Sequence, residues 1–291
     1  MERKLSKSWG GCLSPHKNYE KKSVKLSTLY LTNVNGTLYF SSYDSTHGEE
    51  LWKSDGTEAG TSIVKDIRPG SYGPTPYSSE PEDLMEVNGV LYFTAFDSTN
   101  GRELWKSDGT EAGTVMVKDI YPGFDPIEPY PIYPGSSNPS YLTEMNDILY
   151  FQADDGIHGK ELWRSDGTEA GTYMVRDIKG PSSSPDHFED MDGLLYFSAH
   201  DGINGQALWK SDGSKDGTLQ VKDIKSGDNN SYIKDLKKVN DTIFISTYYS
   251  YGTYFNSSIV IELWKTDGTE SGTVHVKGSV LDDLLYFYCP T

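Results

Sequence analysis

The chain of 291 residues is short of several things. It has two cysteines, so no disulfide framework of the kind that staples small secreted domains is available. Lys and Arg number 26 against 43 Asp and Glu, a net charge of −17. That excess opposes DNA, RNA and anionic lipid, which are bound by releasing counterions with basic side chains. No apolar run approaches the ~20 residues of a membrane span. Met1-Glu2-Arg3-Lys4 leads into polar sequence with no apolar leader segment. Long Ala, Leu, Glu and Lys stretches are missing, which argues against a helical bundle.

What is present is turn-forming and aromatic. Gly 29 and Pro 14 imply many turns, and aromatics at 13% can support a core, so the chain is not disordered. Five segments nearly coincide: Glu50 to Thr57, Glu103 to Thr110, Glu161 to Thr168, Ala207 to Ser214 and Glu262 to Thr269. A Leu-Tyr-Phe-like strand precedes each and a Val-Lys-Asp-Ile-like strand follows. Trp precedes the Val of the following strand by 12 residues in all five (Trp52, Trp105, Trp163, Trp209 and Trp264). The central Tyr precedes Trp by 13 in four units; Phe244 precedes Trp264 by 20, an insertion of seven.

Each unit reads as four short strands, a to d. In the second unit b is Leu91 to Ala95, c is Glu103 to Lys106 and d is Thr114 to Ile120. Gly, Asn and Asp at fixed offsets supply the turns, and β-branched and aromatic residues fill the strands. Repeated four-stranded units of this length are the signature of a β-propeller blade. The fold expected is therefore all-β, one propeller domain spanning 1–291, with repeats at about 29–67, 82–120, 141–178, 188–224 and 235–277.

The ends carry leftovers. Val280 to Phe287 matches strand a, a turn and strand b; Trp9 followed by Val24-Lys25-Leu26 matches c and d. These predict a sixth, composite blade from 4–26 plus 279–289, which would hide the sheet edges that an open array exposes. A five-bladed ring with loose ends is the alternative. Within the composite blade Cys289 and Cys12 fall on neighbouring strands, b and c, so a Cys12–Cys289 disulfide is expected.

The pattern Glu-Leu-Trp-Lys-Ser-Asp-Gly-Thr with its flanking strands resembles the bacterial ELWxxDGT-repeat proteins, over roughly 24–287. It is also similar to Tol-type propeller blades, whose third strand ends in a comparable hairpin. The resemblance implies a secreted or surface-associated propeller and carries no activity with it. The chain departs from the pattern at Ala207, at Gly278 and in the insertion before Glu262.

Catalytic signatures are missing: there is no GxSxG, HExxH, P-loop or GxGxxG after a strand. His47 and His158 occupy a position that other units fill with Asn100 and Asn204, and are expected to take left-handed backbone before Gly in a turn. Asp97 with Glu103, and Asp154 or Asp155 with Glu161, could converge on calcium, which wants six to eight oxygens. The reading preferred is that the Asp caps the turn and the Glu lies on the strand-edge surface, so no cofactor is expected. Asp55, Asp108, Asp166, Asp212 and Asp267 belong to hairpins of the Asp-box kind, which are fold elements. The tryptophans are expected between blades.

Function should lie where repeats differ. The proline-rich loop Tyr121 to Pro134 and the insertion Tyr248 to Phe255 fall on one face, with the d→a and b→c loops. Tyr130, Tyr133, Tyr249, Tyr251 and Tyr254 are the candidate ligand-binding residues, since Tyr offers a rigid apolar face with a polar tip. The leading expectation is a non-catalytic module recognising a glycan or protein there. That the same aromatics plug the ring mouth stands beside it. The alternative is a hydrolase or lyase with acidic residues at the mouth, Asp125, Glu128, Asp186 and Asp190 being the candidates. Sequons at Asn35, Asn229, Asn240 and Asn256 and the acidity suggest an extracellular or surface setting. Neither nucleic acid nor membrane insertion is expected.

Overall fold

A computed structural model describes residues 30–281 apart from 125–133, 181, 203–204, 225–230 and 254–255, and gives backbone alone for 231, 249–253, 256–259 and 279–281. The fold is the expected all-β propeller. Five four-stranded antiparallel sheets follow one another, each in chain order a-b-c-d. Blade 1 comprises Thr32–Val34, Thr37–Asp44, Gly48–Ser54 and Ser62–Lys65. Blade 2 comprises Glu82–Val87, Val90–Asp97, Gly101–Ser107 and Val115–Lys118. Blade 3 comprises Ser140–Met145, Ile148–Asp154, Lys160–Ser165 and Tyr173–Arg176. Blade 4 comprises Asp186–Met191, Leu194–His200, Gln206–Ser211 and Leu219–Lys222. Blade 5 comprises Ser231–Val239, Thr242–Thr253, Asn256–Thr266 and Val274–Leu281. The a strands touch one another from blade to blade and so line the centre.

Leu-Tyr-Phe alternation explains how blades pack, because successive strand residues face opposite sides of a sheet. Tyr39, Leu51 and Val64 of blade 1 meet Leu91, Phe93 and Trp105 of blade 2 in one buried cluster, and the same interdigitation recurs at the next junctions. Trp105, Trp163 and Trp209 are buried between blades, as expected. Polar ties repeat with equal regularity. The Lys after Trp reaches the hairpin of the following blade: Lys53 Nζ donates to the Gly109 carbonyl at 2.8 Å, and Lys106 to that of Gly167 at 2.8 Å. The Lys of strand d does the same, Lys65 to the Thr114 carbonyl and Lys118 to that of Thr172, both at 2.8 Å.

The hairpin shows why glycine recurs. Gly109 has φ +87°, and a Cβ there would lie 2.2 Å from the Tyr39 hydroxyl. The preceding aspartate closes the turn: Asp108 Oδ1 accepts from the Thr110 amide at 2.8 Å and its hydroxyl at 2.7 Å. These aspartates are thus structural, and their hydrogen bonds hold the carboxyls below the usual range.

The ring is not closed by blade 5 meeting blade 1. Leu38 of blade 1 is 37% exposed, whereas its counterparts Leu91, Leu149 and Leu195 are at most 1% exposed. Leu263 of blade 5 is 39% exposed, while Leu51, Leu104, Leu162 and Leu208 are fully buried. Two matching blade faces are therefore uncovered among the described residues, as a six-bladed ring requires and a five-bladed ring does not. Most of the composite-blade segments, together with Trp9, Cys12 and Cys289, lie outside the described residues. One detail is corrected. Val280 and Leu281, expected to open a new strand a, pair with Val260 and Ile259 and prolong strand d of blade 5. Similarly, the seven-residue insertion of blade 5 lengthens b and c into one hairpin, paired as far as Thr253 and Asn256, instead of forming a loop.

Candidate functional site

The b→c turns show what their aspartates and histidines do. Asp97 Oδ1 accepts from the amides of Thr99 and Asn100, at 2.6 and 2.7 Å, and Asp155 caps its turn through Ile157 and His158. His47 Nδ1 pairs with Asp44 Oδ2 at 2.9 Å, and His158 Nδ1 with Asp155 Oδ2 at 2.7 Å. That hydrogen bond is the main cause raising each imidazole pKa. Positive φ falls on Gly48, Gly101 and Gly159 and not on the residue before them, so the left-handed conformation expected of the histidines is corrected. The Asp side chain and the left-handed glycine after the histidine or asparagine make the turn.

The glutamates of the repeat are likewise not on the surface. Glu50, Glu103 and Glu161 are completely buried. Glu103 Oε1 accepts from the Ser137 amide at 2.9 Å, and its Oε2 accepts from the Ser137 hydroxyl at 2.5 Å and the Ile120 amide at 3.1 Å. Glu50 makes the same three bonds with Ser79 and Ile67, and Glu161 with Ser183 and Ile178. Burial pushes each of the three carboxyls up to about 7, against the hydrogen bonds that favour the charged form. A carboxylate that accepts from two backbone amides and a serine of the next blade is a joint between blades. No group of three or more metal-ligating side chains occurs among the described residues.

These serines introduce a second repeat that lies ahead of strand a: Ser79-Glu80-Pro81-Glu82-Asp83, Ser137-Asn138-Pro139-Ser140-Tyr141 and Ser183-Ser184-Pro185-Asp186-His187. In each, the second and fifth residues have positive φ: Glu80 and Asp83, Asn138 and Tyr141, Ser184 and His187. Each non-glycine residue held there costs about 1–2 kcal/mol. A bulge accompanies each, since register shifts between Glu82 and Met85, Ser140 and Thr143, Asp186 and Glu189. The effect is to re-aim one side chain per blade at the inner end of the sheet.

The re-aimed residues gather at the channel mouth. Tyr141 lies 6.2 Å from both the His187 and Phe188 rings and is 47% exposed. Burial, then the charges of Asp186 and Asp83, raise the Tyr141 hydroxyl pKa. Asp186 therefore acts on it from blade 4 and Asp83 from blade 2. Burial, then Glu82 and Asp83, raise that of Tyr30, which stands at the equivalent position of blade 1. His187 Nδ1 pairs with Asp186 Oδ1 at 2.8 Å, and its pKa is raised by that bond first and by Asp235 of blade 5 among the rest. Ser198 donates a second hydrogen bond to Asp186. Asp83 differs: half-buried, it accepts no hydrogen bond among the described residues, and burial raises its carboxyl pKa with Arg102 opposing. Arg102 itself is engaged by Glu80 at 3.1 Å and Glu82 at 3.5 Å.

Of the acidic residues expected at the mouth, Asp186 is there. Asp190 is not: it accepts from the Gly193 amide at 3.2 Å in the a→b turn, at the other end of the strand. Asp125, Glu128, Tyr130, Tyr133 and Tyr254 lie outside the described residues. Tyr249 and Tyr251 are placed by backbone alone, opposite Val260 and Ser258 in the long hairpin of blade 5. Beside them Tyr232 stacks on Tyr248 at 5.2 Å. Asp83, Tyr141 and His187 were not singled out by sequence. The signal was available, since each stands four residues after a serine and four before the last residue of strand a.

No family model matches the chain, and no curated protein resembles it in sequence. Solved structures do resemble it in fold. A puromycin hydrolase shares 12% identity at a TM-score of 0.48, over 86% of this chain and 38% of that one. An endo-1,4-beta-xylanase from Bacteroides thetaiotaomicron shares 13% at 0.34, over 89% and 96%. Prolyl oligopeptidase B from Galerina marginata shares 12% at 0.44, over 84% and 33%. This chain thus spans about two-fifths of the puromycin hydrolase and one-third of the peptidase. Such distant likenesses assign no activity.

Proposed function

We propose that the protein is a hydrolase or lyase acting on a glycan at the channel mouth. The observation that carries this reading is the contrast between two carboxyls near Tyr141. Asp83 is desolvated, unbonded among the described residues and raised in pKa, the condition of a proton donor. Asp186 is held by Ser198 and His187, the condition of a fixed carboxylate that serves as base. Two carboxyls in unlike environments are how one site supplies an acid and a base at the same pH. Tyr141 offers a ring on which a sugar face can rest, and Tyr232 and Tyr248 extend an aromatic surface beside the loops. The setting proposed for such a protein is extracellular or at the cell surface.

A polysaccharide panel read by new reducing ends and unsaturated products tests this, with Asp83→Asn and Asp186→Asn beside the parent. Loss of ~100-fold or more in turnover with binding retained is expected of each. Binding to a glycan array with no turnover on any substrate bound there overturns catalysis and leaves recognition alone.

A further inference from the structure

We propose that Glu50, Glu103 and Glu161 are positioning residues for the channel mouth: through Ser79, Ser137 and Ser183 each holds the strained turn that presents Asp83, Tyr141 or His187. The inference rests on the mouth being the functional site and adds a control over it.

The geometry supplies the connection. The serine is held on three sides. The Ser183 amide and hydroxyl bond Glu161, and the amide also meets the Lys160 carbonyl at 3.1 Å. The Ser183 carbonyl accepts from the His200 amide at 2.8 Å, on strand b of blade 4. Glu161 belongs to blade 3, so one carboxyl pins blade 4's leading turn to its neighbour. From Ser183 to His187 the chain passes a proline and two left-handed residues, leaving little slack between latch and mouth. Ser137 bonds Glu103 in the same way, with the Asn138 amide in place of its own meeting the Arg102 carbonyl at 3.2 Å and its carbonyl accepting from the Asp154 amide at 3.0 Å; the Ser79 carbonyl accepts from the Phe96 amide at 2.8 Å.

Ionisation of a buried latch is costly, so the turn's grip varies with pH. The charges facing each latch favour its neutral form: Asp66 acts on Glu50, Asp119 on Glu103 and Asp177 on Glu161. His47 and His158, each already paired to its own aspartate, are the nearby groups of opposite sign facing Glu50 and Glu161. With the closed carboxyl at about 7 and an open, solvated one at 4.5, opening becomes easier as pH rises. Between pH 6 and 8 the opening constant rises about tenfold.

Hydrogen exchange by mass spectrometry, corrected for the intrinsic pH dependence, reads this in the intact chain. The parent is expected to show that tenfold rise across 79–84, 137–142 and 183–188. Glu161→Gln keeps an acceptor and removes the titration, so it should flatten the pH dependence at 183–188 and leave 137–142 unchanged. The imidazole titration of His187, followed by NMR, should lose its fixed environment in Glu161→Ala and recover it in Glu161→Gln. A pH-independent opening at 183–188 in the parent, or an unmoved His187 titration in Glu161→Ala with the fold retained, overturns the proposal. A failed substrate screen does neither, since these readouts need no substrate.

Discussion

The first three blade junctions and the fourth are built from the same repeat and joined differently. At the first three a buried glutamate receives three donors across the junction. At the fourth Ala207 stands in place of the glutamate, and among the described residues the Gln206 side chain takes one donor, the Ile233 amide, at 2.8 Å. The hydrophobic interdigitation and the lysine ties are unchanged: Lys210 still reaches the Gly268 carbonyl at 2.9 Å. What changes is downstream. Blade 5 has a nine-residue strand a, and Asp235 takes no left-handed φ although it stands at the Asp83 position. The glutamate thus does not make the blade stack. It goes with the strained turn: where the glutamate and the proline of the turn are both missing, the left-handed residues are gone, although a register shift between Ile233 and Asp235 remains.

The largest effect should come from removing a latch. Glu103→Ala leaves two amides and a hydroxyl buried without an acceptor, a loss of about 4 kcal/mol in urea unfolding after partial relaxation. Ala207→Ser should be near neutral by comparison, because the alanine side chain makes no hydrogen bond for the change to remove.

The hairpins give the next contrast. Gly109→Ala places a methyl against the Tyr39 hydroxyl and strains a positive φ, costing about 3 kcal/mol. Gly56→Ala has the same φ class with open space around it and should cost about 1 kcal/mol. Equal losses would show that the Gly56 site is filled as the others are.

Installing the missing latch should harm. Ala207→Glu forces a carboxyl into space that the 1% exposed Ala207 methyl already fills, at a cost of about 2 kcal/mol. A stabilised variant would show that blade 5 can adopt the strained turn after all.

The pH dependence separates the two kinds of junction without changing packing. Three carboxyls with folded values near 7, above their unfolded 4.5, stabilise fully below pH 4.5, and that contribution is lost as pH rises through about 7. The melting temperature should therefore fall between pH 5 and 8, and Glu103→Gln should remove roughly one third of that fall. A fall of the same size in the triple Gln variant would assign it to other groups.

The smallest effect expected is from the shared ties. Lys53→Met keeps the apolar stem and removes the bond to the Gly109 carbonyl, at about 1 kcal/mol by thermal melting.

Most of the fold was legible because it repeats. Strand periodicity, turn residues and a constant Trp-to-Val spacing each carry a geometric requirement, and recurrence in five units removed chance. The site was less legible. Acidity in a variable segment points to Asp186 and equally to Asp190, three positions after His187. Only the end of the strand on which each lies separates them. Tyr141, Asp83 and His187 differ in chemistry, so their shared position is hidden unless the serine and proline ahead of them are aligned. Sequence alone puts Glu103 on the surface, because a charged residue at a strand end is usually solvated. Its burial depends on two amides and a serine from segments 17 and 34 residues later.

The sequence by itself determined the unit: four strands, their order, their turn chemistry and the faces that pack. Those follow from local geometry, period-two alternation and the φ preferences of Gly, Asn and Asp. The tertiary structure decided what crosses between units. It set which hydroxyl stands over which glycine, which carboxyl is dehydrated and which strand ends meet at the channel. Desolvation and convergence are properties of groups brought together from separate blades, and no window of the chain contains all the partners.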